Sequence, residues 1–442
     1  MLANPATSDL VFWSTVVTRN GYGSLRANQY YRVIVPFLTA KDEGLIQDYF
    51  VEGHTALGPS AGEGERALMA LMSDVMLLSN SYGKGMNKNI SEIQKLIPSV
   101  DPDTLSRVYP PVIVFDQDDL TEHVSVFNDT FRHLGTRAPN GAKLDEGCEI
   151  YFPAPDEGED ILIWKDGECP HCMKAQCMPG MHMPFELSEN QKRLDTMYEM
   201  ARLAHGGTFP NERLSAFYRD EIGMKNVYTF PNSIYLPDYH KVELAKHPAE
   251  VRILWQGGSS HFEDWAPVAQ ALGRVVRKNP HVKVIMWGQP FPFVLREIPE
   301  EQREFLSWVP HAAYLTRLNT LGHDINLCPL TANRFNECKS AIKWYESSMI
   351  TQPAATLASN VAPYSDEMIE GETGLLYKDE AEFETKLQGL IDDATLRGQL
   401  AQNAQDWVVT HRDSRKTVPG LIEFYLSLRK YYDEVAPWGV GG

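Results

Sequence analysis

Nowhere does the chain hold a run approaching the ~18 uninterrupted apolar residues of a membrane-spanning helix, so no span is expected. Met1 to Asp9 lack a basic flank followed by an apolar stretch; no secretory signal is read, and the expected location is the cytoplasm. Basic residues are scarce, with 41 Lys and Arg against 59 Asp and Glu and a net charge of −18. That balance speaks against a protein that coats itself in nucleic-acid backbone, although a local basic groove within an acidic whole stays open. Cysteine is sparse as well, six in 442 residues. Four of them, Cys148, Cys169, Cys172 and Cys177, crowd one short region. In a cytosolic protein such crowding points to metal rather than to disulfides. Internal repeats are missing, and no signal of an oligomeric state is present. What remains is globular: 43% hydrophobic and 23% charged residues, in a chain long enough for two domains of roughly 150–250 residues each.

Along the chain, Leu10 to Val17 reads as a strand ending at Asn20-Gly21-Tyr22-Gly23-Ser24. A helix from Arg26 to about Val35, stopped by Pro36, completes half of a βαβ unit. A further helix is expected from Glu65 to Leu78 and a polar loop over Ser81 to Asn89. Pro111 to Phe115 is a buried strand running into Asp116-Gln117-Asp118-Asp119. From Asn140 to Glu189, Pro, Gly, Cys, His and Met accumulate and periodicity disappears, which marks an inserted module. Helices near 190–204 and 212–223 and a strand at 226–230 lead to a linker over 238–250.

The C-terminal half alternates strand and helix: Val251 to Trp255, Asp264 to Lys278, Val282 to Trp287, Ile325 to Cys328, Lys339 to Met349 and Ala354 to Leu357. Helices at 380–392, 394–411 and 418–432 follow. Such alternation implies a parallel, doubly wound sheet with its ligands at the carboxyl ends of the strands.

The richest constellation is Phe335-Asn336-Glu337-Cys338-Lys339-Ser340-Ala341-Ile342-Lys343-Trp344-Tyr345-Glu346. On a helix starting near Asn336, Lys339 and Lys343 share one face and Glu346 follows on it. Two cations at a helix start suit a diphosphate, and a carboxylate one turn on suits the paired hydroxyls of a ribose. A solvated Lys–Glu ion pair is the plain alternative. Gly257-Gly258-Ser259-Ser260-His261 directly after a strand lets backbone approach a phosphate, though strand-to-helix turns take glycine for geometry alone.

Val251 to about Asp413 resembles the donor-binding domain of the large retaining GT-B glycosyltransferase family that includes sucrose and glycogen synthases. The carrying residues are Ile253 to His261 with Asp264, Asp324 to Pro329, Phe335-Asn336, Lys339-Ser340, Ile342-Lys343, Glu346, Pro353, Pro363-Tyr364 and Gly371 to Leu376. A looser similarity covers Asn211 to Leu214, Lys225 to Val227 and Phe230 to Ser233. The resemblance implies an α/β protein of two Rossmann-like domains facing across a cleft: 1–245 on the acceptor side and 246–415 for the nucleotide sugar. A helix at 416–442 would pack back toward the N-terminal domain. It makes Glu346 the ribose-binding second glutamate of a paired motif whose first position here is Cys338. Because the family's Arg and Lys after the first strand are missing, Lys339 or Lys343, with Gly257, Gly258, Ser259, His261 and Ser340 nearby, would contact the diphosphate. Gly21-Tyr22-Gly23 resembles the glycine-rich loop facing the donor phosphates. Asp118-Asp119 falls where acceptor or sugar contacts lie, one of the pair being a base or both simply closing a turn. No catalytic metal is expected, and stabilisation of the leaving diphosphate, by Lys343 among others, would carry the rate.

Cys169, Cys172, Cys177 and His182 give C-x2-C-x4-C-x4-H, a tetrahedral zinc set, with Cys148 or His171 as the alternative fourth ligand. Four protein ligands leave no open position, so the zinc would be structural. The spacing resembles a zinc knuckle, and knuckles bind single-stranded nucleic acid. The expected acceptor is therefore either a hydroxymethylated pyrimidine in DNA or a glycan. The competing class is a non-catalytic nucleic-acid-binding protein on the same scaffold.

Overall fold

The computed structural model describes residues 11–16, 29–53, 73–79, 86–95, 99–100, 107–108, 110–125, 128, 130–137, 150–152, 181–183, 187–244, 250–289 and 291–430. They form two compact units, one of residues 1–119, 194–235 and 411–442, the other of residues 120–193 and 236–410.

The first unit is built on six parallel strands: β1 (Val11–Val16), β2 (Asp48–Gly53), β3 (Val75–Ser79), β4 (Val112–Asp116), β5 (Gly206–Phe209) and β6 (Val227–Thr229). Their order is β6-β5-β4-β3-β1-β2. β3 and β4 are buried at every position, as parallel strands covered on both faces must be. That burial corrects the end of the helix expected over Glu65 to Leu78, because Val75–Ser79 is strand, while residues 65–72 lie outside the described residues; a short apolar run looks the same in either state. Helix also replaces part of the expected polar loop, over Met86–Gln94. Pro36 does not stop a helix either. A π-helical turn, Tyr30–Ile34, runs into α1 (Val35–Asp42), and Pro36 sits in the first turn of α1, where a missing N–H is tolerated.

The second unit has β7 (Val251–Gly257), β8 (Val282–Gly288), β9 (Arg303–Leu306), β10 (Ile325–Cys328), β11 (Ala355–Ser359) and β12 (Leu375–Tyr377), all parallel. Their order, β9-β8-β7-β10-β11-β12, is the 3-2-1-4-5-6 arrangement of a dinucleotide-binding sheet. Helix α2 (Ala269–Lys278) shows why the sequence folds this way. Ala271, Leu272, Val275 and Val276 are buried on the sheet, and Arg277 and Lys278 in the last turn complement the helix dipole. Each large apolar side chain so buried contributes about 1.5–3 kcal/mol. Arg274, on the outer face, donates to Glu384 of α6 and pairs with Glu380 of the same helix, Glu380–Asp392. Between them lie α3 (His311–Thr320), α4 (Arg334–Glu337) and α5 (Ile342–Met349). α7 (Ala394–His411) precedes the last helix, α8 (Ser414–Leu428), capped by Asp413. Val418, Leu421, Ile422, Tyr425 and Leu428 of α8 recur at helical spacing and join the core of the first unit with Val33 and Phe37.

Candidate functional site

In a sheet of this order the strand connections reverse direction between β7 and β10, and the crevice opens at their carboxyl ends. The register shows it. β7 pairs with β8 through Gly257↔Gly288, but with β10 only at Ile253↔Ile325 and Leu254↔Asn326. Beyond Leu254 the two strands part, and Gln256 and Gly257 lie at the open edge.

The segment after β10 differs from the single helix expected. Asn333 caps α4 by accepting from the Asn336 backbone N–H at 2.8 Å, and α4 ends at Glu337. Cys338 to Ala341 form a turn carrying Lys339 and Ser340, and α5 starts only at Ile342. Lys339 and Lys343 therefore do not share a helix face, whereas Lys343 and Glu346 do. The Lys339 ammonium sits 4.7 Å from the centroid of the Phe335 ring, and its charge still reaches His261, Asp264 and Lys343.

Lys343 reaches back to the end of β7. Its Nζ lies 2.8 Å from Nε2 of His261 and 5.5 Å from the Trp255 ring centroid. His261 Nδ1 lies 2.7 Å from Oδ2 of the buried Asp264. Asp264 Oδ1 in turn accepts from the Thr331 backbone N–H at 2.8 Å and from the Asn336 amide at 2.7 Å. Burial, reinforced by the two lysines, pushes His261 down to about 3, so the ring is neutral. Burial disfavours the Asp264 carboxylate, but His261, Lys339 and the Thr331 N–H outweigh it and hold its pKa below the usual value. A neutral ring beside a carboxylate and an ammonium has one consistent tautomer: Nδ1–H donates to Asp264, and Nε2 accepts from Lys343. Burial brings Lys343 down to about 8, with Lys339 acting in the same direction and Cys328, Asp264 and Glu346 opposing.

This packing explains Gly257. A Cβ there would stand 2.8 Å from His261 Cδ2 and 3.0 Å from Lys343 Nζ. Glycine is needed because the imidazole and the ammonium lie on the backbone. Gly288 answers to a different constraint: its φ is +109°, and a Cβ would meet the Gly257 carbonyl at 2.5 Å and Trp308 at 3.0 Å.

Glu346, one turn beyond Lys343, is buried. Its Oε2 accepts from the Tyr314 hydroxyl of α3 at 2.7 Å and from the Gln256 amide at 3.2 Å. Tyr314 packs on Trp287, the residue before Gly288, at 5.0 Å between centroids. Trp308 follows β9 and leads into α3; it is 62% exposed and lies against Gly258 and Gly288. An indole left in water beside a strand-end crevice is unusual enough to be informative. Sequence reading missed Trp308 and Tyr314. An aromatic just after a strand and before Val309-Pro310 was the available signal for the first, and nothing local marked the second.

At the carboxyl ends of the first unit's sheet lies a different cluster. Arg32 of the π-helical turn, fully buried, donates through Nε and Nη2 to Asp116 Oδ2 at 3.0 and 2.6 Å. Its Nη1 donates to the Phe230 carbonyl and to Asn232 Oδ1. Asp116 also accepts from Thr208 at 2.7 Å and Ser79 at 3.3 Å. Asp118 and Asp119 follow, and the Asn232 amide lies 3.4 Å from Asp118 Oδ1. Burial, then the Asp119 charge, raise Asp118 to about 7 against the pull of Arg32.

Gly21, Tyr22 and Gly23 lie outside the described residues, as do Cys148, Cys169, His171, Cys172 and Cys177. His182 lies on the strand Met181–Met183, which pairs antiparallel with Ile150–Phe152, His182 opposite Tyr151. Ser259 opens the 3-10 turn Ser259–His261. Among the described residues no group of three or more metal-ligating side chains occurs and no helix is long and apolar enough to cross a membrane.

No family model and no curated protein sequence matches this chain. Solved structures do. Sucrose-phosphate synthase from Thermosynechococcus elongatus matches with a TM-score of 0.56 at 11% identity, over 96% of this chain and 100% of that one. HepE from Anabaena, in complex with UDP-glucose, matches with a TM-score of 0.55 at 11% identity, over 95% and 99%. A glycosyltransferase from Rickettsia africae matches with a TM-score of 0.52 at 8% identity, over 96% and 99%. Identities this low speak for architecture: the chain has the GT-B fold of these glycosyltransferases, two α/β units each built on a parallel sheet.

Proposed function

We propose that the protein transfers a sugar from a nucleotide-sugar donor to an acceptor hydroxyl, with the donor held at the carboxyl ends of β7, β8 and β10. One observation carries this reading: a single helix, α5, brings an ammonium and a carboxylate to the strand-reversal point of a Rossmann-ordered sheet. Lys343 matches the charge that grows on a departing diphosphate. Glu346, already accepting from two donors, matches the vicinal hydroxyls of a ribose. Trp308 offers its exposed face to the base. Lys339, Ser340, Gly258 and Ser259 are proposed to add to the diphosphate contacts. Similarity to a structure that holds UDP-glucose supports a donor of that kind.

As the bond between the anomeric carbon and the phosphate oxygen breaks, the electron pair stays with the diphosphate, and a preplaced cation stabilises it without reorganisation. The resemblance to retaining enzymes supports retention at the anomeric carbon. Gly21, Tyr22 and Gly23 are proposed to face the donor phosphates, and Asp118 or Asp119 to meet the acceptor. A structural zinc held by Cys169, Cys172, Cys177 and His182, with Cys148 or His171 as the alternative, is supported by ligand type and spacing. It would make a nucleic-acid acceptor, a hydroxymethylated base in DNA, the first to try beside glycans.

The test is release of nucleoside diphosphate from a panel of nucleotide sugars, with and without hydroxymethylated DNA, on protein whose zinc content has been measured. Release from one donor is the expected outcome, and stimulation by the DNA would identify the acceptor. No release and no donor-induced rise in melting temperature would sink the proposal.

A further inference from the structure

We propose that Asp264 is a positioning residue: through His261 it holds the Lys343 ammonium at the end of β7 while leaving its charge available to an anionic ligand. The inference rests on the donor-site reading above and adds to it how the cation is kept in place.

Lys343 is held without a carboxylate partner. Its neighbour at hydrogen-bond distance is an imidazole nitrogen, and no carboxylate of the described residues lies within ion-pair distance of Nζ. A carboxylate in that place would fix the lysine and also cancel its charge, and an incoming phosphate would have to compete with it. An imidazole lone pair fixes the ammonium and cancels nothing. For this the ring must be neutral and must turn Nε2, without a proton, toward Lys343. Nothing in a free imidazole guarantees that tautomer.

Asp264 supplies the guarantee. Its carboxylate is anchored from three directions: Oδ1 by the Thr331 backbone N–H and the Asn336 amide, Oδ2 by His261 Nδ1. The anchors lie in the segment following β10, so the loop after β7 and the loop after β10 are tied across the crevice by one carboxylate. Both ring nitrogens of His261 are engaged inside the protein. His261 therefore acts through Lys343 and does not itself touch the donor. The charged and titratable groups facing Lys343 are His261 and Asp264 after β7, Cys328 at the end of β10, Lys339 in the turn before α5, and Glu346 on α5.

The geometry provides a clean variant. In Asp264→Asn the side-chain oxygen can keep both Thr331 and Asn336, while the amide nitrogen replaces Oδ2 opposite His261. That nitrogen can only donate, so Nδ1 must accept, the ring proton moves to Nε2, and an N–H then confronts the ammonium. In His261→Gln the side chain still donates to Asp264 and accepts from Lys343, so this variant is the rescue.

The measurements are histidine nitrogen NMR on labelled full-length protein, melting temperature, and binding of UDP, GDP, ADP and dTDP from pH 6 to 9. In the wild type His261 should carry its proton on Nδ1 down to pH 5, and nucleoside-diphosphate binding should weaken above pH 8 as Lys343 loses its proton. Asp264→Asn should move the ring proton to Nε2, weaken binding about tenfold at pH 7 and shift the alkaline limit downward, with the melting temperature nearly unchanged. His261→Gln should bind like the wild type, and His261→Phe should not. If Asp264→Asn binds with unchanged affinity and alkaline limit, the positioning role is refuted while the donor site stands. If the wild type binds none of the four nucleotides, the donor reading fails, and this proposal falls with it.

Discussion

At the carboxyl ends of both six-stranded sheets a basic side chain is drawn in from a neighbouring helical segment, and the two are treated in opposite ways. Arg32 meets Asp116 through two of its nitrogens, and its remaining donor goes to a carbonyl and an amide oxygen. The guanidinium is used up by the protein. Lys343 meets a neutral imidazole, and its charge is positioned without being cancelled. The first arrangement resembles a clamp joining the π-helical turn, β4 and the segment after β6. The second resembles a binding site held ready for an anion. The difference teaches that a cation drawn in at a strand end speaks for a ligand only when its partner is uncharged.

The largest expected effect tests the clamp. Arg32→Met leaves the buried Asp116 carboxylate without its counter-charge and should destabilise the first unit by about 3–5 kcal/mol in urea unfolding. The double variant Arg32→Met with Asp116→Leu should recover most of that, because removing both charges is far milder than removing one. A loss below about 1 kcal/mol for the single variant would mean that Arg32 and Asp116 are not a clamp, and the contrast with Lys343 would collapse.

Lys343→Met should do the reverse. Turnover should fall about 10²–10³-fold, roughly 2.7–4 kcal/mol of lost leaving-group stabilisation, while the fold holds. Relief of a partly desolvated ammonium should leave the melting temperature equal or higher. Normal turnover would transfer the role to Lys339.

Much of this arrangement was legible in the sequence, and the parts that were not share a physical cause. Ile325 to Cys328, Val282 to Trp287 and the helices at 380–392 and 394–411 were readable because buried parallel strands are continuous apolar runs and surface helices are periodic. Lys343 and Glu346 were readable because three residues on a helix is a local relation. The break at Cys338 was not, since it depends on Asn333 capping a four-residue helix. Arg32 and Asp116 stand 84 residues apart, and no local pattern joins them. His261 was expected near a donor phosphate, but the engagement of both its nitrogens was not legible, because Lys343 stands 82 residues away and Asp264 is oriented by Thr331 and Asn336 from the far side of the crevice.

Acidification should separate the units. His261 and His323 are held neutral by burial, near 3 against an ordinary 6.5, and His123 near 4. Neither ring nitrogen of His323 has a hydrogen-bond partner among the described residues. Because the unfolded chain takes up these protons first, stability is lost as pH falls below 6.5, at most about 1.4 kcal/mol per pH unit for each histidine. Asp238, raised to about 6, opposes only part of this. In the first unit His205, near 4, has the same sign, but Asp118 has the opposite one. Its folded pKa of about 7 exceeds the ordinary 3.8, so its contribution is present at low pH and lost as pH rises through 7. Between pH 7 and 5, hydrogen-exchange protection factors, corrected for the intrinsic rate at each pH, should therefore fall more in the second unit's core than in the first's. Equal loss in both would remove Asp118 from the account.

The smallest expected effect is the most local. Trp308 contributes little to the core, since more than half of its surface is in water, so Trp308→Ala should leave the melting temperature within about one degree. If its indole is the platform for the donor base, the same variant should weaken UDP binding about tenfold, since a base stacked on an aromatic ring is worth roughly 1–3 kcal/mol. Trp308→Phe, which keeps an aromatic face of smaller area, should lose less. The Lys343 and Trp308 effects should add, because one acts on the diphosphate and the other on the base. Unchanged affinity in Trp308→Ala would leave the exposed indole to another partner and confine the donor site to the lysine, the glutamate and the glycine turn.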